Sequence, residues 1–369
     1  MELYGKSWSV TDLRRRVGAM DQLAGIKPLQ LDDGSERPVR AFHLHTAAGL
    51  EALILADRGL DIAAARYRGR PMGWRSVTGD VAPQYFEPEG FRWLRSYFGG
   101  LLTTCGLINV GMPASDSALS GRGLHGRISN TPARNLCVHQ GWQGREYLLR
   151  IEGELREASV FGENLVLHRR ITARADRAEL TVEDTLVNEG FRPTPYMLLY
   201  HCNIGWPALD EGSRLICPSR RVIPRDAEAE KGLDAWHTMT GPRRNWQEQV
   251  FFHEMVPDRS GWVITALLNA ACADAPGDPF GVVVRYRADT LPRFTQWKMT
   301  GEQEYVCGLE PCTCGVGGLE AELREGKARR LKPGASIHFA LTFGVIDSVE
   351  AARTLEAQIR AVLDRRADS

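Results

Sequence analysis

Between residues 149 and 183 the chain changes character at almost every step. Leu149, Ile151, Gly153 and Leu155 alternate with Arg150, Glu152, Glu154 and Arg156, and Ala178, Leu180 and Val182 alternate with Glu179, Thr181 and Glu183. A period of two puts one face of an extended strand in a core and the other in water, and no helix can satisfy it. Residues 165–171, between these runs, are rich in β-formers. Turn-forming residues at 161–164, 174–177 and 188–193 space the three segments as an antiparallel meander.

The same reading extends outwards. Residues 39–44 and 50–56 form a predicted hairpin around Ala48-Gly49, residues 60–67 a further strand, and residues 281–287 and 337–345 late strands. Residues 11–24 are a predicted short helix with Leu13, Val17 and Met20 on one side, although Gly18 weakens it. Residues 348–364 carry an apolar stripe of Val349, Ala352, Leu355, Ile359 and Val362 at helical spacing, with Asp347 and Glu350 at capping-box spacing. The Pro- and Arg-rich stretch 206–246 reads as a long surface excursion. With no linker, repeat or low-complexity tract, the expectation is a mostly β chain: one antiparallel β-sandwich domain over residues 1–369, core about 35–345, with short terminal helices.

Composition narrows the function. Lys plus Arg equals Asp plus Glu at 46 each, so the chain has no general attraction for nucleic acid or an anionic membrane. No apolar run reaches the length of a membrane helix, and residues 1–16 lack the apolar centre of a signal peptide. Eight scattered cysteines without such a signal point to reduced thiols and a cytoplasmic location.

Three residues stand in settings that suit chemistry. His125 lies in Gly121-Arg122-Gly123-Leu124-His125-Gly126-Arg127, where glycines let backbone approach a ligand. His201 follows an apolar strand and precedes the turn at Gly205-Trp206-Pro207. Glu310 closes the apolar run Tyr305-Val306-Cys307-Gly308-Leu309 and is expected to be desolvated and hence more basic. Taken singly, each also fits an ordinary structural histidine or surface carboxylate.

Together these segments resemble the galactose mutarotase-like superfamily, the aldose 1-epimerases. The likeness rests on His125-Gly126-Arg127, on Tyr200-His201-Cys202-Asn203, and on Gln296-Trp297-Lys298-Met299 leading to Val306-Cys307-Gly308-Leu309-Glu310-Pro311. It spans about residues 35–345. Arg58-Gly59-Leu60-Asp61-Ile62 and residues 99–106 resemble a branch of that superfamily without a settled substrate. Leu199-Tyr200-His201 stands where the family has Thr-Asn-His. The resemblance implies a supersandwich fold and a cofactor-free sugar isomerase, with Glu310 as base, His201 as acid to the ring oxygen and His125 polarising the same region. Arg127, Asn203, Lys298, Gln296, Arg58, Asp61 and Trp74 are the expected substrate contacts, and Trp297 is a further stacking candidate.

Other motifs carry less. His43 and His45 share one side of a strand and lack a third ligand, Cys312-Thr313-Cys314 lacks a partner pair for zinc, and Cys105 has no histidine tied to it. Gly315-Val316-Gly317-Gly318 lacks the lysine of a P-loop. The expected partner is a small sugar or sugar acid, with no nucleic acid, membrane or metal, and homodimerisation is left open. Two other functions stay open: epimerisation, isomerisation or lyase action on a keto-sugar or sugar acid through an enolate, with Lys298 and arginines holding the anion, and a non-catalytic sugar-binding module.

Overall fold

The computed structural model describes residues 1–115, 122–272 and 278–364; Gly121, of the first histidine motif, lies outside them. Two large antiparallel sheets face each other. The eight-stranded sheet runs, in spatial order, Arg134–Gln143, Glu146–Ala158, Asn164–Arg174, Leu180–Asn188, Ser336–Ile346, Phe280–Arg287, Trp262–Asn269 and Arg214–Ile216. The alternating segments of the sequence are its first half, and they pair in meander order. The six-stranded sheet runs Thr103–Leu107, Met197–Ile204, Tyr305–Cys312, Arg293–Thr300, Gln249–Met255 and Ser219–Pro224.

Aromatic side chains between the sheets fix their contact. Tyr200 meets Phe339 at 6.5 Å between ring centroids, and Phe294 stacks on Tyr286 at 5.9 Å. A third, five-stranded sheet contains Gly25–Gln30, the hairpin Arg40–His45 and Leu50–Leu55, then Asp61–Tyr67 and Arg70–Pro71. It is tied to the eight-stranded sheet by Gln140, whose side chain completes both backbone bonds of Ile26 at 2.8 and 3.1 Å. It also joins the strand region entering the six-stranded sheet through a bridge between Ile62 and Leu102.

Three local expectations are corrected. The early helix is only Val10–Arg14; the chain leaves it at Arg15 and makes a separate tight turn at Met20–Gln22, because only Leu13 finds a core to bury in. The last helix is Val349–Asp364, and Leu355 and Ile359 pack on Ala266, Leu268 and Ile346. Its first turn is capped by Ser348, whose hydroxyl accepts from Ala351 at 3.2 Å, whereas Asp347 accepts from the Tyr67 hydroxyl at 2.7 Å. The 206–246 stretch is a surface excursion only in part. It supplies strands to both large sheets and buries Ala208, Leu209, Leu215 and Met239, because its apolar residues are spaced too irregularly to show a period but still find the core.

Candidate active site

The site lies on the six-stranded sheet's face away from its partner sheet. Pairing of Thr103 with His201, of Cys202 with Leu309, and of Thr295 with Glu310 puts Thr103, His201, Glu310 and Thr295 side by side on four adjacent strands. His201 and Glu310 are 5% and 3% exposed, and His201 Nε2 stands 3.3 Å from Glu310 Oε1. Gly308 keeps this space clear, since a Cβ there would lie 2.5 Å from Oε1.

Hydrogen bonds assign the proton on His201. Asn203 donates its amide to the carbonyls of His201 and Gly99 at 2.9 and 3.2 Å, so its oxygen faces Tyr97. The Tyr97 hydroxyl donates to that oxygen at 2.6 Å, leaving its own oxygen to accept from His201 Nδ1 at 3.3 Å. A neutral His201 with its proton on Nδ1 has a bare Nε2 towards Glu310. Glu310 Oε1 is buried and has no hydrogen-bond partner unless a proton lies between it and Nε2. Burial dominates the acid–base balance: desolvation, aided by Glu248, raises Glu310 well above the usual carboxylate range, and desolvation lowers His201 to about 3. Burial therefore favours the neutral pair, with the shared proton on the Glu310 carboxyl.

His125 reaches the same cavity from a loop. Its backbone is left-handed at φ +57°, and it is held by a bond from its N–H to Gly111 O and another from Gly106 N–H to its carbonyl, both 3.0 Å. The next residue must be glycine: a Cβ on Gly126, at φ +74°, would sit 2.4 Å from Gly106 O. Gly111 N–H donates to His125 Nδ1 at 3.3 Å, so the neutral ring carries its proton on Nε2. Desolvation lowers His125 to about 4, and its ring centroid is 5.6 Å from that of His201. The cavity above the three residues measures about 220 Å³ and is walled by Trp93, Tyr97, Leu124 and Trp297, among others.

Comparison with known proteins gives the family and the fold. Residues 36–345 match the family described as a domain of unknown function, DUF4432. The chain belongs to the DUF4432 family. No functionally curated protein matches it. Among solved structures it is similar to a Klebsiella pneumoniae protein described as a "putative aldose 1-epimerase", with 26% identity and a TM-score of 0.85 over 97% of this chain and 96% of that one. It also resembles a galactose mutarotase-like protein of Clostridium acetobutylicum (13% identity, TM-score 0.58, covering 88% and 99%) and galactose 1-epimerase of Lactobacillus acidophilus (12%, 0.53, 88% and 99%). These likenesses show the galactose mutarotase-like fold.

In this DUF4432 chain the remaining residues read as substrate contacts serve elsewhere. The Arg58 guanidinium is buried and donates to the carbonyls of Ser129 (2.8 Å), Ser96 (2.6 Å) and Val81. It thereby holds the tight turn Arg92–Ser96 that carries Trp93 and leads into Tyr97. Asp61 accepts from Arg169 at 2.6 Å and from the Thr104 backbone at 2.8 Å, inside the core. Gln296 and Lys298 alternate with Thr295 and Trp297 and point to the opposite sheet face. There Gln296 donates to Trp236 O at 2.8 Å, and Lys298 donates to Ala235 O and Thr238 O at 2.8 and 2.7 Å. They are the buried anchors of the 206–246 stretch. Arg127 is exposed with its guanidinium 5.7 Å from the Phe86 ring centre, Trp74 packs against Tyr97 and Trp297, and Asn203 reaches the site only through Tyr97.

The sequence reading missed Trp93, Tyr97, Arg225 and Glu248. The first two lie in Phe91-Arg92-Trp93-Leu94-Arg95-Ser96-Tyr97-Phe98, an aromatic cluster just before the Gly99-Gly100 pair that was visible but aperiodic. Arg225 pairs with Glu248 at 2.9 Å and with Asp226 at 2.7 Å, and Glu248 in turn accepts from the Trp297 indole at 2.7 Å.

Proposed function

We propose that this chain is a carbohydrate isomerase that interconverts the anomers of a reducing sugar. The observation that carries this reading is the Glu310–His201 pair: a carboxyl and an imidazole 3.3 Å apart, buried on neighbouring strands at the base of an aromatic-walled cavity. Mutarotation needs one group to take the proton of the anomeric hydroxyl and another to give a proton to the ring oxygen. The bond between the anomeric carbon and the ring oxygen then breaks, the open aldehyde rotates, and reclosure on the other face reverses the proton transfers. Protons are conserved over the cycle, so a pair holding one proton is sufficient.

Sugar hydroxyls donating to the Glu310 carboxyl favour the carboxylate and move the shared proton to His201. Glu310 is then the base and His201 the acid. His125, with Nε2–H as its free donor, polarises an oxygen of the same ring. Acid–base catalysis of this kind contributes about 10²–10⁴-fold. The enolate alternative loses Lys298, bonded to two carbonyls on the opposite sheet face, and Arg58, bonded to three carbonyls in the core. A binding module has no need of a buried acid paired with a base.

The test is NMR exchange between anomers for a panel of aldoses in heavy water. Accelerated anomer exchange without deuterium at carbon supports the reading. Deuterium incorporation at a carbon, or tight binding without exchange, overturns it.

A further inference from the structure

The catalytic cavity does not end at the catalytic pair. It opens into a groove of about 1250 Å³, and the two share Met112, Arg225, Glu248, Thr295 and Val316 as wall residues. The register explains the direction. Thr295 pairs with Phe252, and Phe252 with Ile223, so the row that begins with His201, Glu310 and Thr295 continues through Phe252 and Ile223 to the sheet edge. Phe252 is half-buried and Ile223 is 37% exposed. Both belong to the groove and neither lines the catalytic cavity.

The charges along the groove decide what can lie in it. Its cationic side chains are already matched by carboxylates of the same groove. Arg225 has Glu248 and Asp226, Arg293 has Glu322 at 2.9 Å, Arg220 has Glu254 at 3.5 Å, and Lys327 has Glu325 at 2.7 Å. Among the described residues, each arginine and lysine along the groove has a carboxylate within 4 Å, so the groove offers no unmatched positive charge to a phosphate, sulfate or carboxylate. Paired polar groups flanking an apolar strip suit a neutral polyhydroxy chain, whose ring faces lie on apolar side chains while its hydroxyls meet polar ones. The groove has several times the catalytic cavity's volume and so takes more than one sugar ring.

Building on the mutarotase reading above, we propose that the substrate is a neutral reducing oligosaccharide, a disaccharide or longer. Its reducing-end ring sits over His201 and Glu310, and the following unit lies across Phe252 and Ile223.

The experiment compares anomer-exchange kcat/KM for glucose, galactose, maltose, lactose, maltotriose and glucose 6-phosphate, in the wild type and in Phe252→Ala and Ile223→Ser. The expected result is a preference of roughly tenfold or more for at least one neutral di- or trisaccharide over every monosaccharide. Phe252→Ala should abolish that preference, and Ile223→Ser should reduce it, both with monosaccharide exchange unchanged. Equal rates for mono- and oligosaccharides, a preference for the phosphorylated sugar, or a loss that falls equally on all sugars would overturn the proposal. Calorimetric titration with maltose, lactose and maltotriose in turn separates it from the reading it rests on. Binding that Phe252→Ala weakens, without exchange of any sugar, overturns mutarotation and retains the groove; exchange of monosaccharides without binding of any of the three oligosaccharides does the reverse.

Discussion

Tyr200 and His201 are neighbours on one strand and face opposite sides of the six-stranded sheet, and the polar clusters around them are built to opposite rules. On the Tyr200 side, Arg169 donates to Asp184 at 2.9 and 2.6 Å, to Asp61 at 2.6 Å, to Gly59 O at 2.9 Å and to Thr104 at 2.8 Å, while Tyr200 donates to Asp184 at 2.7 Å. The two carboxylates hold the guanidinium charged despite complete burial, and the network is closed. On the His201 side the chain of bonds runs from Asn203 through Tyr97 to His201 and stops at a carboxyl oxygen without a settled partner. A buried charge network that is complete holds two sheets together, whereas one that ends in a carboxyl and an imidazole at 3.3 Å leaves a proton free to change sides.

The contrast can be broken from either side, and the closed cluster should show the larger effect. Arg169→Met leaves Asp61 and Asp184 buried without their cation and should cost about 3–5 kcal/mol of stability. Denaturant unfolding measures it, and a loss below 1 kcal/mol would mean that the network is dispensable. Glu310→Gln should do the opposite: a fold at least as stable as the wild type, with anomer exchange lower by roughly 10²-fold or more. Near-normal exchange per folded molecule would remove Glu310 from the chemistry.

Tyr97→Phe takes away only the hydroxyl that fixes the tautomer of His201. A loss of about tenfold in kcat with little change in KM is expected, and a change confined to KM would make Tyr97 a substrate contact instead.

The smallest effect is on the pH dependence of stability. Glu310 has a folded pKa above its unfolded one, so its contribution is complete below about 4.5 and is lost as pH rises towards the folded value. The melting temperature of Glu310→Gln relative to wild type should therefore climb as pH is raised above 4.5. His125 and His201 are depressed to about 4 and about 3, so their contribution is complete above about 6.5 and is lost as pH falls through the folded values. Wild-type and Glu310→Gln proteins should share that acid limb. A pH-independent difference between them would show that Glu310 is not held protonated.

The same contrast explains what could be read without coordinates. Strand order in the meander was legible because a half-buried strand writes its period into every second residue. His125, His201 and Glu310 were found as positions, and the structure brings them to one cavity. What failed was the assignment of polar residues to one cluster or the other. Asp61 and Arg58 belong to a resemblance motif, yet their partners, Arg169 and three backbone carbonyls, lie far along the chain, so nothing local distinguishes a charge that is satisfied from one that is free. Lys298 and Gln296 flank Trp297, itself a stacking candidate, and a period of two cannot put all three on one face; only the structure decides that Trp297 faces the cavity and its neighbours do not. Arg225 and Trp236 come from a stretch whose proline and arginine content hid the strands it gives to both large sheets, and Trp93 and Tyr97 lie in and just after a tight turn that has no period to detect.

One consequence follows from Tyr200 and His201 being adjacent. In a strand, consecutive residues exchange faces if the chain slips by one. Inserting or deleting a single residue ahead of Tyr200 would therefore carry the imidazole into the core and the phenol into the cavity at once. The cost of that error falls on folding before it falls on the cavity, so the strand that keeps the two sheets together also proofreads the placement of His201.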